Sequence, residues 1–168
     1  YEAEQGQQIK AEDRPAFHVS PYVGWMNDPN GFSCYQGEYH LFYQYNPSDT
    51  HWNSMHWGPV VSKDLRHWEY RPTALAPDED YDKFGCFSGS AIELEDGRQL
   101  LMYTAVNQEK LEDGTVRDIQ TQAVAVGDGK DYEKYDKNPV LTAKDLPKGA
   151  SKVDFRDPKI WKGNDGNF

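Results

Sequence analysis

The chain has 168 residues, about one domain, and its 28 acidic against 18 basic side chains leave a formal net charge of −10. This balance disfavours nucleic acid and anionic membranes as partners. No apolar run approaches the roughly 20 residues of a membrane helix, and residues 1–5 lack the basic and apolar regions of a signal peptide. Two cysteines make no disulfide framework. We therefore expect a cytoplasmic protein in which Cys34 and Cys86 are buried thiols, with a single bridge between them as the alternative.

The first residues differ in character from the rest of the chain. Residues 1–13 form a polar arm that predicts a short helix or a loose segment, and Arg14-Pro15 ends it. Residues 14–168 instead show a pattern of short strands, predicted at 39–45, 57–62, 67–70, 87–94, 99–106 and 119–126. Asp-Gly pairs at 96–97, 113–114, 128–129 and 165–166 predict turns between them. No amphipathic helix follows residue 13, so the predicted class is all-β.

Weak internal repetition accompanies these strands. Residues 37–43 align with 97–103 at an offset of 60, and residues 61–70 align with 126–135 at an offset of 65. Residues 28–32 align with 157–161, about two such units further along. Units of four short strands at this spacing predict the blades of a β-propeller, while a β-sandwich with accidental similarity is the alternative.

The stretch Trp-Met-Asn-Asp-Pro-Asn-Gly at residues 25–31 has two interpretations. Asn-Asp-Pro and Asn-Gly are turn signals, so Asp28 alone indicates a chain reversal. However, Trp25 and Met26 are poor choices for a solvated tip, and Phe32 and Cys34 read as the strand that follows. A carboxylate at the start of a strand, beside aromatic and amide side chains, favours a nucleophile that binds a polar substrate.

Residues 25–31 resemble the signature of the glycoside hydrolase family 32 β-fructosidases, which include invertases, sucrose-6-phosphate hydrolases, levanases and inulinases. The resemblance extends from about Arg14 to the end of the chain. Its further motifs are His-Leu-Phe-Tyr-Gln at 40–44, Met-His-Trp-Gly at 55–58, Ser-Lys-Asp-Leu at 62–65, Cys-Phe-Ser-Gly-Ser-Ala at 86–91 and Phe-Arg-Asp-Pro at 155–158.

This resemblance implies a five-bladed β-propeller, often followed by a β-sandwich. The chain would supply the first two blades and the start of the third, so its partners would be the rest of its own propeller, the sandwich and a small sugar. The implied activity is hydrolysis of β-fructofuranosides such as sucrose, sucrose 6-phosphate or short fructans, with retention and with no cofactor.

The resemblance also implies roles for individual residues. Asp28 would be the nucleophile that forms a fructosyl-enzyme ester, and Asp157 would stabilise the oxocarbenium-like transition state. The implied substrate-binding residues are Asn27, Gln44, Trp52, Phe87, Ser88 and Arg156. For Trp52 and Phe87 the rival interpretation is core packing, and for Asp157 it is an ordinary pair with Arg156 or a turn before Pro158.

Two features depart from the family pattern. The general acid of the family is a Glu in a Glu-Cys pair after the Arg-Asp-Pro motif, and no Glu follows Asp157 here. The position after Met-His-Trp-Gly, which usually holds His, is Pro59, which removes a polar side chain and a strand donor. A non-catalytic sugar-binding module that keeps the pocket is therefore the alternative function.

The sequence predicts no metal site. The acidic run at residues 78–82 could hold a hard cation, but it lacks EF-hand spacing, and a solvated loop is the preferred interpretation.

The repeat also predicts the geometry of the site. If the units are blades, Asp28, Ser88 and Asp157 occupy matching places in three successive units. We expect their side chains to point into one funnel, with Gln44, Trp52 and Phe87 around its wall and Arg156 close by.

Overall fold

The computed structural model describes residues 1–168 and contains two four-stranded antiparallel sheets. The first sheet has the order β1-β2-β3-β4 and is called the first blade. Its strands are β1 (Trp25–Tyr35), β2 (Glu38–Asn46), β3 (His56–Ser62) and β4 (Glu69–Tyr70). The second sheet has the order β5-β6-β7-β8 and is called the second blade. Its strands are β5 (Gly85–Glu93), β6 (Gln99–Lys110), β7 (Val116–Gly127) and β8 (Tyr132–Lys134). The all-β prediction and the six predicted strands are confirmed.

Short turns connect β1 to β2, β5 to β6 and β6 to β7, as the sequence predicted. Gln36 and Gly37 both have positive φ, 48° and 80°, between the paired residues Tyr35 and Glu38. This is the conformation of a two-residue type I′ hairpin, whose twist matches that of the strands. The Asp-Gly pair at 96–97 connects β5 and β6, and the pair at 113–114 connects β6 and β7.

The two blades repeat one another in detail. Residues 37–43 and 97–103, which align in sequence, each run from a turn into the second strand of a blade. Asp64 and Asp128 occupy matching turns before the fourth strand. Each carboxylate accepts hydrogen bonds from two backbone N–H groups two and three residues ahead. The predicted repeat is therefore structural.

The polar arm packs on the first blade. It contains α1 (Glu2–Gly6) and a 3₁₀ turn at Ala11–Asp13. The Glu2 carboxylate accepts hydrogen bonds from Tyr45 Oη (3.1 Å) and Thr73 Oγ1 (3.0 Å). Gly6 lies against the ring of Tyr22, where a Cβ would approach to 2.2 Å. The boundary between an arm at 1–13 and a domain at 14–168 stays a prediction.

The main core lies between the two blades. Large side chains of the first blade, Phe42 and Trp57, pack with Leu101 and Tyr103 of the second. Small residues of the second blade complete this cluster, namely Ala91, Ala105, Ala123 and Ala125. A hydrogen bond also joins the two blades, in which Trp57 Nε1 donates to the Phe87 carbonyl at 3.0 Å. Burial of these aromatic and aliphatic surfaces holds the blades together.

The structure corrects the prediction for one cysteine. Both thiols are free, but Cys34 is exposed and only Cys86 is buried. Side chains alternate between the faces of a strand, and Tyr35, the next residue in β1, takes the buried face. Burial raises the pKa of the Cys86 thiol well above its usual range, and the nearby Asp82 adds to this effect.

The acidic run at 78–82 fits its prediction as a solvated loop only in part, since residues 78–80 are exposed. Asp82 is fully buried. Its carboxylate accepts hydrogen bonds from Tyr103 Oη (2.8 Å) and Lys134 Nζ (2.6 Å). Burial alone would lower the pKa of Lys134, but Cys86, Asp78 and Asp82 outweigh it and raise that pKa. The run thus contributes a buried ion pair that joins the connection between the blades to β8.

Candidate active site

One-residue β-bulges interrupt the first strand of each blade, two in β1 and one in β5, and the first bulge of β1 is the one at the site. In β1 the pairing shifts between Met26 and Pro29, and in β5 it shifts between Phe87 and Gly89. The bulges therefore contain Asn27 and Asp28 in the first blade and Ser88 in the second. Bulges redirect side chains and are frequent beside active sites. Because β1 and β5 are neighbours, both bulges open towards the same space.

That space is a cavity of about 320 Å³. Its lining contains all eight residues that the sequence singled out, and two more. They are Asn27, Asp28, Gln44, Trp52, Phe87, Ser88, Arg156 and Asp157, joined by Asp118 and Gln120. The eight come from three successive repeat units and lie up to 130 residues apart in sequence. The expected convergence of Asp28, Ser88 and Asp157 is thus present in the fold, whereas their chemical roles stay predictions.

Asp28 lies inside a strand, which contradicts both a turn and a position at the start of the strand. β1 begins at Trp25, three residues earlier, and continues to Tyr35. The Asp28 side chain is exposed to the cavity. Its neighbour Asn27 is oriented by a hydrogen bond from Trp25 Nε1 to Asn27 Oδ1 (3.0 Å). The Asn27 amide N–H groups stay available to a ligand, beside the carboxylate.

The wall of the cavity combines a buried amide with two aromatic rings. Gln44 is 3% exposed, and its Nε2 donates to the Cys86 carbonyl at 3.0 Å, which fixes the side chain. Trp52 is 56% exposed, so the core-packing alternative for this residue is wrong. Its ring meets the half-buried Phe87 edge to face, with centroids 5.9 Å apart. An exposed indole beside a polar pocket presents a flat apolar surface to a ligand.

Asp157 is held differently from Asp28. Residues 151–168 follow the second blade and lie outside its strands. Asp157 has a left-handed backbone, φ 59°. Its carboxylate is exposed and lies 3.8 Å from Arg156 Nε, while Arg156 also donates to Asp154 Oδ1 at 2.7 Å. The Arg156 guanidinium therefore interacts with both Asp154 and Asp157, and the Asp157 carboxylate stays open to the cavity.

Two lining residues, Asp118 and Gln120, were not recognised from sequence. Both lie on β7, at alternate positions that share one face. Gln120 is 6% exposed, and its Oε1 has no hydrogen-bond partner in the protein. An unpaired buried acceptor costs about 1–3 kcal/mol, and this one lies at the cavity wall, where a ligand donor can reach it. Polar residues at 118, 120 and 122, inside a strand otherwise rich in Ala and Val, were the available signal.

Pro59 has no direct part in this cavity. It pairs with Phe42 in the ladder between β2 and β3, and its carbonyl accepts from Arg71 N on the side of β4. The N–H that proline lacks would point to the same side, away from β2. The ladder between β2 and β3 is therefore intact, and Pro59 is not among the lining residues.

A larger cavity, of about 730 Å³, adjoins the first one through Asp157. Asn30 lines it, is 7% exposed, and has no partner for either side-chain atom in the protein. Residues of β1 thus line both cavities. No helix of the structure is long and apolar enough to cross a membrane.

Comparison with known proteins gives a consistent result. Residues 18–168 match the family described as glycosyl hydrolases family 32 N-terminal domain. A sucrose-6-phosphate hydrolase of Zymomonas mobilis is 44% identical over 161 residues, which are 95% of this chain and 30% of that protein.

Two solved structures extend the comparison to the fold. A Bombyx mori family 32 β-fructofuranosidase in complex with sucrose has 43% identity and a TM-score of 0.82, over 98% of this chain and 33% of its own. Sucrose-6-phosphate hydrolase from Lactobacillus gasseri has 36% identity and a TM-score of 0.75, over 97% and 32%.

These matches confirm the β-propeller architecture, of which the chain contains the first two blades and the segment that follows them. The chain spans about 30% of the curated relatives it matches. With 151 of its 168 residues matched, the chain belongs to glycoside hydrolase family 32, as part of its N-terminal domain.

Proposed function

We propose that the parent protein, of which this chain is a part, hydrolyses β-fructofuranosides with retention of configuration. The observation that carries the proposal is the meeting of Asp28 and Asp157, from the first and third repeat units, in one polar cavity with Asn27 and Gln44. Two carboxylates and several amides around an exposed Trp52 suit a sugar, which offers hydroxyl groups and an apolar face.

In the proposed reaction the Asp28 carboxylate attacks C2 of the fructosyl unit. An ester bond forms between Asp28 and C2, and the bond from C2 to the leaving oxygen breaks. The leaving oxygen takes a proton from a general acid, which the family resemblance assigns to a Glu outside this chain. Water then attacks C2, gives up its proton to the same acid in its basic form, and releases fructose and the free carboxylate.

Asp157 acts on the charge that develops in this reaction. Its carboxylate accepts hydrogen bonds from hydroxyl groups of the fructosyl ring, and these bonds strengthen as the ring becomes electron-poor. Asn27 and Gln44 bind the remaining hydroxyl groups, and Trp52 and Phe87 exclude water from one face. Gln120 Oε1, which has no partner within the chain, accepts a hydrogen bond from a further hydroxyl group.

The substrate class includes sucrose, sucrose 6-phosphate and short fructans. The proposal is supported by relatives named sucrose-6-phosphate hydrolase and by the silkworm enzyme solved with sucrose. The further blades of the propeller and a C-terminal β-sandwich are the proposed structural partners, and a cytoplasmic location stays a prediction. A purely sugar-binding module is not favoured, because the matched relatives are named as hydrolases.

Early product analysis with the full-length parent tests the proposal. NMR spectra are recorded during the first turnovers of sucrose, sucrose 6-phosphate and an inulin-type oligosaccharide, before the released fructose mutarotates. We expect β-fructofuranose as the first product from at least one of them. Release of the opposite anomer would contradict the nucleophilic role of Asp28, and the absence of fructose from all three would contradict the function.

A further inference from the structure

Side chains of the second blade hold the segment that carries Asp157. Gln122 Nε2 donates to the Phe155 carbonyl at 2.7 Å, and the backbone N–H of Asp157 donates to Thr104 Oγ1 at 2.9 Å. Further along, Ser90 Oγ donates to the Pro158 carbonyl at 2.8 Å and accepts from the N–H of Ile160 at 2.9 Å. Three side chains of the second blade thus bond to the backbone of this segment.

Thr104 and Gln122 form the centre of this arrangement. They are directly opposite each other in β6 and β7, and they are 0% and 1% exposed. Their neighbours along the strands, Ala105 and Ala123, are apolar and buried. Burying a hydroxyl and an amide among such residues costs free energy unless their hydrogen bonds are made. Each of them finds a partner outside the second blade, in the segment at residues 155–157.

The hydrogen bonds of the Thr104 hydroxyl define its orientation. A hydroxyl has one proton to donate and lone pairs to accept with. The lone pairs receive the N–H of Asp157, so the proton is directed to the Ser88 carbonyl (3.2 Å) or to Gln122 Oε1 (3.3 Å). Ser88 is the bulge residue of β5 at the cavity. One hydroxyl therefore joins the cavity residues of the second and third repeat units.

We propose that Thr104 is the positioning residue for the Asp157 carboxylate, and that Gln122 supports it by holding the preceding carbonyl. The proposal rests on the proposed function of Asp157 in fructoside hydrolysis. Left-handed backbone is disfavoured for a residue other than glycine, although Asp tolerates it better than most. The N–H of Asp157 must be anchored for this conformation to persist, and the Thr104 hydroxyl is its anchor.

A misplaced Asp157 has a specific kinetic consequence. Its hydrogen bonds to the sugar strengthen in the transition state, so a displacement lowers kcat more than it changes KM. Thr104→Val, which keeps the shape of the side chain and removes the hydroxyl, is expected to lower kcat of the full-length parent at least about tenfold. KM should change less than about threefold, and Thr104→Ser should restore most of kcat.

Thr121→Val is the matched control. Thr121 is also buried, but its hydroxyl reaches only the Ala105 carbonyl, at 3.5 Å within the same blade. It should keep the kcat of the wild-type parent. If Thr104→Val does not fold, the pair Thr104→Ser and Thr104→Ala isolates the hydroxyl, because both lack the methyl group. The alanine variant should then show the tenfold loss and the serine variant should not.

A double-mutant cycle decides whether Thr104 acts through Asp157. In an Asp157→Asn background, removal of the Thr104 hydroxyl should change the residual kcat by less than about twofold. An equal loss in both backgrounds, or a kcat unaffected in the wild-type background, would overturn the positioning role. A wild-type parent that releases no fructose would instead overturn the proposed function, and the two failures are therefore distinguishable.

Discussion

Asp28 and Asp157 face the same cavity but are held there in opposite ways. Asp28 belongs to a continuous strand whose backbone pairs with β2 on both sides of a bulge. Asp157 has a left-handed backbone, and the buried side chains Thr104 and Gln122 anchor its N–H and the carbonyl of Phe155. The first blade thus fixes its carboxylate through its own ladder, whereas the second blade fixes the carboxylate of the following unit.

This difference explains the composition of the second blade. Its buried residues include four alanines, which accept the large aromatic rings of the first blade. They also include Ser90, Thr104, Gln120 and Gln122, whose side chains reach the cavity or the segment after residue 150. A blade that contributes only Ser88 from its bulge therefore carries much of the polar support of the site.

The largest expected effect is at the carboxylate that the first blade holds. Asp28→Asn in the full-length parent keeps the shape of the side chain and removes the attacking charge. We expect turnover of sucrose-type substrates to fall more than about a thousandfold, or about 4 kcal/mol in the barrier. Asp96→Asn, an exposed acid in the turn before β6, is the control and should keep full activity. Steady-state kinetics with both variants measure this effect. A rate for Asp28→Asn within tenfold of wild type would show that Asp28 is not the nucleophile.

The buried ion pair of the second blade should give the next largest effect, on stability. Lys134→Met removes the cation that faces the fully buried Asp82 and leaves this carboxylate with Tyr103 and the N–H of Glu79. Breaking a buried pair from one side costs about 3–5 kcal/mol. Thermal denaturation of the parent should show a Tm lower by several degrees. Lys130→Met, at an exposed position in the preceding turn, should leave the Tm unchanged.

Gln120 allows activity and stability to be separated. Its Oε1 is buried without a partner. Replacing the amide with an apolar side chain of similar length, Gln120→Met, removes this unpaired acceptor, so the Tm should stay equal or rise. At the same time the substrate loses one hydrogen bond, and kcat/KM should fall about tenfold, or about 1.4 kcal/mol. Parallel melting and kinetic measurements test this, and a fall in both quantities would mean that Gln120 has a structural role.

The smallest expected effect is a difference between the two blades in how their stability depends on pH. All five histidines lie before residue 68. Burial lowers the pKa of His40; the charge of Glu38 opposes this shift and the charge of Arg71 adds to it. Burial also lowers the pKa of His56. At pH values below 6.5, the usual pKa of histidine, the unfolded chain therefore binds protons at these two side chains that the folded chain does not. Stability should fall as the pH decreases from about 6.5 through the folded pKa values, by at most about 1.4 kcal/mol per pH unit for each histidine.

Hydrogen exchange of the parent at pH 7.5 and 5.5 measures this effect. Amides of β2 and β3 should lose protection at the lower pH before those of β6 and β7. His40→Phe, among the neighbouring rings of Tyr35 and Phe42, should reduce the loss. Equal loss of protection in the two blades would contradict the assignment to the histidines.

The sequence by itself determined the strand pattern, the repeat and eight of the ten residues that line the cavity. Aromatic and β-branched runs between Asp-Gly turns specify short strands because these are local preferences of the backbone. The ordered motifs identified Asp28, Asp157 and their neighbours, all of which line one cavity.

Only the tertiary structure decided how these residues are held. The bulges at Asp28 and Ser88 depend on the register between strands, and register is a property of two segments rather than one. The exposure of Cys34 and the burial of Asp82 follow from which face packs against the other blade. The anchoring of Asp157 by Thr104 joins residues 53 positions apart. Such contacts form only when the blades pack, so no local pattern in the chain specifies them.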